Sequence, residues 1–137
     1  MFWTRKKRRE KIRRRAFPAE WATILERRVP YYVHLSPDDQ QALREHILIF
    51  TAEKNFEGCG GLDLTEEMRV TIAAYACILL LHRDSDYYPR VDTILVYPTA
   101  FVTEAMLDEY GPIEVHGEEV LSGEAWQQGV VILSWFD

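Results

Sequence analysis

Thr65-Glu66-Glu67-Met68-Arg69-Val70-Thr71-Ile72-Ala73-Ala74-Tyr75-Ala76-Cys77-Ile78-Leu79-Leu80-Leu81-His82, followed after a polar break by Thr93-Ile94-Leu95-Val96-Tyr97, is the stretch that decides the fold. It opens on a threonine able to accept from a free amide of a first helical turn, and the two acids after it favour the positive end of the helix dipole. From Ile72 to Leu81 the chain is apolar on nearly all sides, interrupted by Tyr75, which predicts a helix to about His82 in the middle of the core. Asp84-Ser85-Asp86 and Pro89 then make an exit loop. Residues 93–97 are β-branched and aromatic and are bounded by Asp92 and Pro98, the signature of a strand.

Upstream, Ser36-Pro37-Asp38-Asp39 is a helix start of the same kind, and Leu43, Ile47 and Phe50 follow at spacings of four and three. A helix over residues 37–54 is predicted, closed by Gly58-Cys59-Gly60-Gly61 with its three permissive residues. Before it, Trp21, Ile24, Leu25 and Val29 lie near one face of a short helix over 19–29, which Pro30 ends. Downstream, segments 113–116 and 119–121 flank His116-Gly117-Glu118 as a hairpin, and residues 130–136 form a last apolar strand. Helices lead and strands follow, the order of an α+β domain with a small mixed or antiparallel sheet. A final apolar strand one residue from the end leaves an edge that proteins normally cover, so the sequence reads as interrupted.

Charge is divided unevenly. Residues 1–15 hold nine Lys or Arg and one acid, Glu10, a net of +8; the whole chain is −6, so the remaining 122 residues carry −14. The expected organisation is a flexible, self-repelling basic arm over 1–15 on an acidic α+β domain over 16–137. Such an arm can neutralise phosphates, which makes nucleic-acid binding an alternative function. It lacks interleaved aromatics for stacking, and the acidic body repels a polyanion, so nucleic acid is not the expected partner and a solvated tail is the simpler expectation. A composition 47% hydrophobic and 28% charged excludes a disordered chain. Two cysteines without paired spacing, no apolar leader after Met1-Phe2-Trp3, and no apolar run long enough to cross a bilayer point to a cytoplasmic protein without a membrane span.

Chemistry-bearing motifs are sparse. His34, His46, His82 and His116 are isolated, none in HxH, HxxxH or HExxH spacing, and neither cysteine completes a zinc set. His82 near a helix C-terminus suits a dipole-stabilised cation, and His46 reads as a boundary residue. His82-Arg83-Asp84-Ser85-Asp86 lacks the ligand series and sixth-position glycine of a calcium loop and reads as a solvated turn. Glu66-Glu67 and Glu118-Glu119 are caps or surface charges, and Ser134 has no nucleophile-elbow setting. The thiol of Cys59 stands between glycines, where a packing role is weighed against reactivity.

Several stretches together resemble one family. Phe17-Pro18-Ala19-Glu20-Trp21, Leu25-Glu26-Arg27-Arg28-Val29-Pro30, and Ala52-Glu53-Lys54-Asn55-Phe56-Glu57-Gly58-Cys59-Gly60-Gly61-Leu62 are joined by three more. These are Thr65 through Ala74, Leu95-Val96-Tyr97-Pro98 and Val131-Ile132-Leu133-Ser134-Trp135. In order and spacing they are similar to the Mlc titration factor A (MtfA) family of zinc-dependent peptidases. The resemblance implies the N-terminal part of an MtfA-like, lethal-factor-like α+β peptidase domain.

The family's zinc site is an HExxH helix, which follows the Ser-Trp strand, and a further downstream acid; residues 1–137 contain no HExxH. The resemblance therefore implies no catalytic residue, no metal ligand and no cofactor within these residues, with zinc belonging to the complete family domain. The chain alone is expected to be inactive. It further implies that the strand over 130–136 lines the substrate cleft, with Ser134 and Trp135 near a peptide or protein substrate. A second implied partner is the glucose repressor Mlc. The alternative is a naturally short, non-catalytic module that binds the repressor or another protein.

Overall fold

The structure, a computed structural model, describes residues 2–98 and 130–135. Within them the elements run α1 (Phe2–Arg13), α2 (Ala19–Arg28), α3 (Pro30–Val33), α4 (Pro37–Glu53), β1 (Asn55–Gly58), α5 (Glu66–Ile78), β2 (Thr93–Pro98) and β3 (Val130–Trp135). The capping chemistry read from the sequence is in place. The Ser36 hydroxyl accepts from the Asp39 amide at 3.1 Å, and the Thr65 hydroxyl from the Met68 amide at 3.2 Å. Pro30 ends α2 as expected and also opens α3, where its missing N–H costs nothing in a first turn.

α5 is shorter than predicted: it stops at Ile78, and the chain continues through turns to His82, which adopts φ +63°. Leu79 is exposed there, so the apolar run outlasts the helix. The hairpin expected over 113–121 lies outside the described residues.

The α+β class stands, but the sheet is parallel rather than mixed or antiparallel, in the order β1-β2-β3. The physical reason is β1. Asn55-Phe56-Glu57-Gly58 pairs with Thr93 through Val96, and α5 lies between the two strands as a crossover. A strand, a crossing helix and a second strand give parallel pairing, whereas a run of strands after the helices predicts hairpins. β1 gave little signal because three of its four residues are exposed and none is β-branched.

Residues 2–13, expected as a flexible arm, form helix α1. Ile12 is buried in the core, and Arg9 grips Glu53 of α4 through two bonds, Nε to Oε2 at 2.7 Å and Nη2 to Oε1 at 2.8 Å. Arg9 also reaches Asp86 at 2.6 Å, beside Arg5 at 2.8 Å. These carboxylates relieve the self-repulsion of one stripe of the helix, while Lys11 and Arg13 favour the negative end of its dipole.

One hydrophobic cluster joins the layers: Leu25 of α2, Leu43, Ile47 and Phe50 of α4, Val70, Ala73 and Ala74 of α5, and Ile94, Val96, Val131 and Leu133 of the sheet. Ile94 and Val96 pair in register with Val131 and Leu133, so one face of β2 and β3 feeds this core.

Candidate functional site

In a parallel sheet crossed by helices, ligand sites gather outside the carboxyl ends of the strands, where helix N-termini also converge. Here that end collects the Gly58–Gly61 turn, Pro98 and Trp135, with the end of α2 and the start of α5 beside them. The turn is tightly built. The Cys59 amide donates to the Val96 carbonyl at 2.8 Å, and the Leu62 amide to the Cys59 carbonyl at 3.1 Å. Gly60 and Gly61 both take positive φ, which explains two of the three glycines. Gly58 answers a different need: a Cβ there would lie 2.2 Å from the Leu62 carbonyl oxygen.

Trp135, expected near substrate, is 7% exposed and belongs to the core. The Arg28 guanidinium lies over its ring at 5.4 Å. Arg28 also donates through Nε to Glu67, which receives Arg27 on its other oxygen at 2.6 Å. The Arg28 hydrogen bond outweighs burial and holds the Glu67 carboxyl below its usual range. Next to this pair, Trp21 Nε1 donates to Glu66 at 2.9 Å. The two helix termini are thus cross-linked above β3 by α2 cations and α5 carboxylates. The main chain of Ser134 pairs with Tyr97; its side chain lies outside the described residues. Among the described residues β3 has a partner strand on one side, β2.

The three described histidines stay dispersed. His46 Nδ1 meets the Tyr87 hydroxyl at 2.7 Å, half-buried, and burial together with Arg13 pulls its basicity down. His82 Nε2 lies 3.1 Å from Asp39 at the start of α4, rather than capping the end of α5. His34 is exposed, and His116 lies outside the described residues. Cys77 is buried, which pushes its thiol up, and Cys59 is partly exposed. Asp86, in the turn weighed as a cation loop, has each carboxylate oxygen taken by an arginine.

A catalytic zinc needs three convergent protein donors and an open position. Among the described residues no three His, Cys, Asp or Glu side chains come together. The described donors therefore do not fit the zinc of the complete family domain, and no step of zinc chemistry runs through them.

A parallel-sheet scaffold with this helix order, carrying the Phe-Pro-Ala-Glu-Trp and Ser-Trp stretches in sequence, can be set beside known proteins. The chain belongs to the glucose-regulated metallo-peptidase M90 family, which it matches over residues 2–137. It is 41% identical over 129 residues to the uncharacterized protein slr2042 of Synechocystis, covering 93% of this chain and 47% of that protein. It is 33% identical over 111 residues to Mlc titration factor A of Klebsiella pneumoniae, covering 80% of this chain and 41% of that protein. The same factor from Cronobacter sakazakii is 31% identical over 122 residues, with coverages of 88% and 44%. The chain thus spans less than half the length of these curated relatives. No helix among the described residues is long and apolar enough to cross a membrane.

The Arg28–Trp135 and Arg9–Glu53–Asp86 clusters carried no sequence signal. Each arginine lies 44 to 107 residues from its partner, and nothing in a linear pattern pairs one arginine with one distant ring or acid.

Proposed function

We propose that residues 1–137 are the N-terminal portion of a zinc-dependent M90 peptidase, with helix α1 docked on residues 16–137 as the incomplete catalytic domain. The carrying observation is the family match over residues 2–137 in a chain that covers only 41–47% of its curated relatives. In this reading the HExxH helix and the later acid come from sequence outside residues 1–137, and the present residues supply the scaffold. β3 lines the cleft, and an extended peptide adds along its open side by main-chain hydrogen bonds. The backbone at Ser134 and Trp135 meets that peptide, while the buried Trp135 ring, under Arg28, fixes the height of the strand. Two unpaired cysteines suit a reducing cytoplasm.

The coding DNA downstream of codon 137 tests the reading directly. An HExxH codon pattern, in frame or after a frameshift, is expected within a few tens of codons. A genuine stop with no such pattern would leave a non-catalytic relative instead.

The name of several relatives, Mlc titration factor A, favours a second role for the same scaffold: binding of an Mlc-type glucose repressor. This role does not depend on zinc. Co-purification with the repressor that persists under strong chelation supports it, and failure to co-purify at micromolar concentrations removes it.

A further inference from the structure

A second feature lies at the opposite end of the sheet, near the start of β2. A cleft of about 740 Å³ opens between α1 and the 86–92 segment, within the size range of small-molecule sites. Four arginines and a lysine line it: Arg5, Arg8, Arg9, Arg15 and Lys54. Positions 5, 8, 9, 12 and 15 fall along one stripe of α1 and its final turn, so the helix aims these cations at one place. Ile12, on the same stripe, is buried and anchors it, and exposed Ala52 and Pro89 give the cleft an apolar lining.

Three carboxylates share the cleft, Glu53, Asp86 and Asp92, and two of them are already committed. Both oxygens of Glu53 hold Arg9, and the two of Asp86 hold Arg5 and Arg9. Arg8 and Arg15 form no ion pair among the described residues, although the rest of the protein carries abundant acid. Lys54 points Nζ at the Tyr88 and Val91 carbonyls, 2.9 and 2.7 Å away, which uses two of its three donors and leaves its charge unmatched by a direct carboxylate bond. Five cations against three acids leave the cleft at +2, while residues 16–137 sum to −14.

We propose that this cleft binds a small phosphorylated anion, whose phosphoryl oxygens are taken by Arg8 and Arg15 beside Lys54, and whose carbon skeleton lies against Ala52 and Pro89. Planar guanidinium groups match phosphoryl oxygens through paired, charge-assisted bonds. The carboxylates that fix Arg5 and Arg9 also repel a long polyanion, which favours a compact ligand. The site is separate from the carboxyl ends of the strands and does not depend on the peptidase reading.

Titration calorimetry of the whole chain with pyrophosphate tests it. Binding in the micromolar to low millimolar range is expected, and Arg8→Gln with Arg15→Gln should weaken it by roughly tenfold or more. Both arginines are exposed, so the double variant should keep the fold, checked by circular dichroism. Lys11→Gln with Arg14→Gln removes the same charge from outside the cleft and should change affinity by less than about twofold. Equal losses in the two variants would reduce the effect to diffuse attraction and overturn the site. So would no heat at about 5 mM pyrophosphate, or a DNA duplex that binds more tightly than pyrophosphate and loses affinity equally in both variants.

Discussion

Gly58→Ala is the substitution whose cost can be worked most directly from the geometry. The new methyl carbon would stand 2.2 Å from the Leu62 carbonyl oxygen, 3.1 Å from the Leu64 amide nitrogen and 3.2 Å from the Leu62 carbonyl carbon. Ordinary contact begins at 3.4 Å, so the Leu62 carbonyl would have to retreat by about 1.2 Å. All three neighbours are backbone atoms, and no rotamer change relieves them. The turn that carries them is pinned by the Cys59–Val96 and Leu62–Cys59 hydrogen bonds. Overpacking of this kind costs about 1–3 kcal/mol, and a backbone neighbour puts it in the upper part of that range. Alanine narrows the unfolded ensemble and returns about 0.4–1 kcal/mol, because Gly58 does not need positive φ. A net loss of about 1–2.5 kcal/mol follows, read as a lower urea midpoint at unchanged slope. Gly61→Ala is the control. It meets nothing within 4 Å but sits at φ +84°, so it should lose about 1–2 kcal/mol through backbone strain alone. Gly58→Ala at or above the stability of the parent would refute the close-approach argument and the position assigned to β1.

Three further outcomes follow from the packing and titration of the helices. Thr71 Oγ1 is buried without a hydrogen-bond partner among the described residues, so Thr71→Val should gain about 1 kcal/mol by urea unfolding; a loss would mean the hydroxyl has a partner. Ile12→Ala should cost about 2–4 kcal/mol and speed tryptic cleavage within residues 5–15; unchanged cleavage would deny that Ile12 docks α1. Burial and Arg13 hold the His46 imidazole below its ordinary value, so the unfolded chain takes up its proton first as pH falls. Stability from this group is therefore full above about pH 6.5 and declines below it, down through the folded value. Urea midpoints should fall between about pH 7.5 and pH 5.5, and His46→Gln should flatten that fall; an equally steep fall in the variant would assign it to other groups.

What was legible in the sequence was local. Ser36 and Thr65 announced their helices because an N-cap is read within three residues, and residues 93–97 announced β2 because β-branching is intrinsic to the segment. β1 was missed because an exposed four-residue edge strand has little apolar alternation to show, and with it went the parallel pairing. The basic segment was misjudged because its charge was counted without its partners. Glu53 and Asp86 come from distant positions, and only the fold brings them to Arg9. The candidate site divides in the same way. Trp135 was picked out by its strand, yet its burial beneath Arg28 depends on the end of α2, more than a hundred residues earlier. The glycine turn is legible as a break from its composition alone, while the close approach at Gly58 depends on the fold.

The central claim is that this chain is scaffold for a zinc site completed by other sequence, and metal content tests it most directly. Zinc per chain, measured by elemental analysis after dialysis against a weak chelator, should be far below one equivalent for residues 1–137. The product of a longer reading frame containing HExxH should retain about one equivalent. One tightly held zinc on residues 1–137 alone would contradict the account.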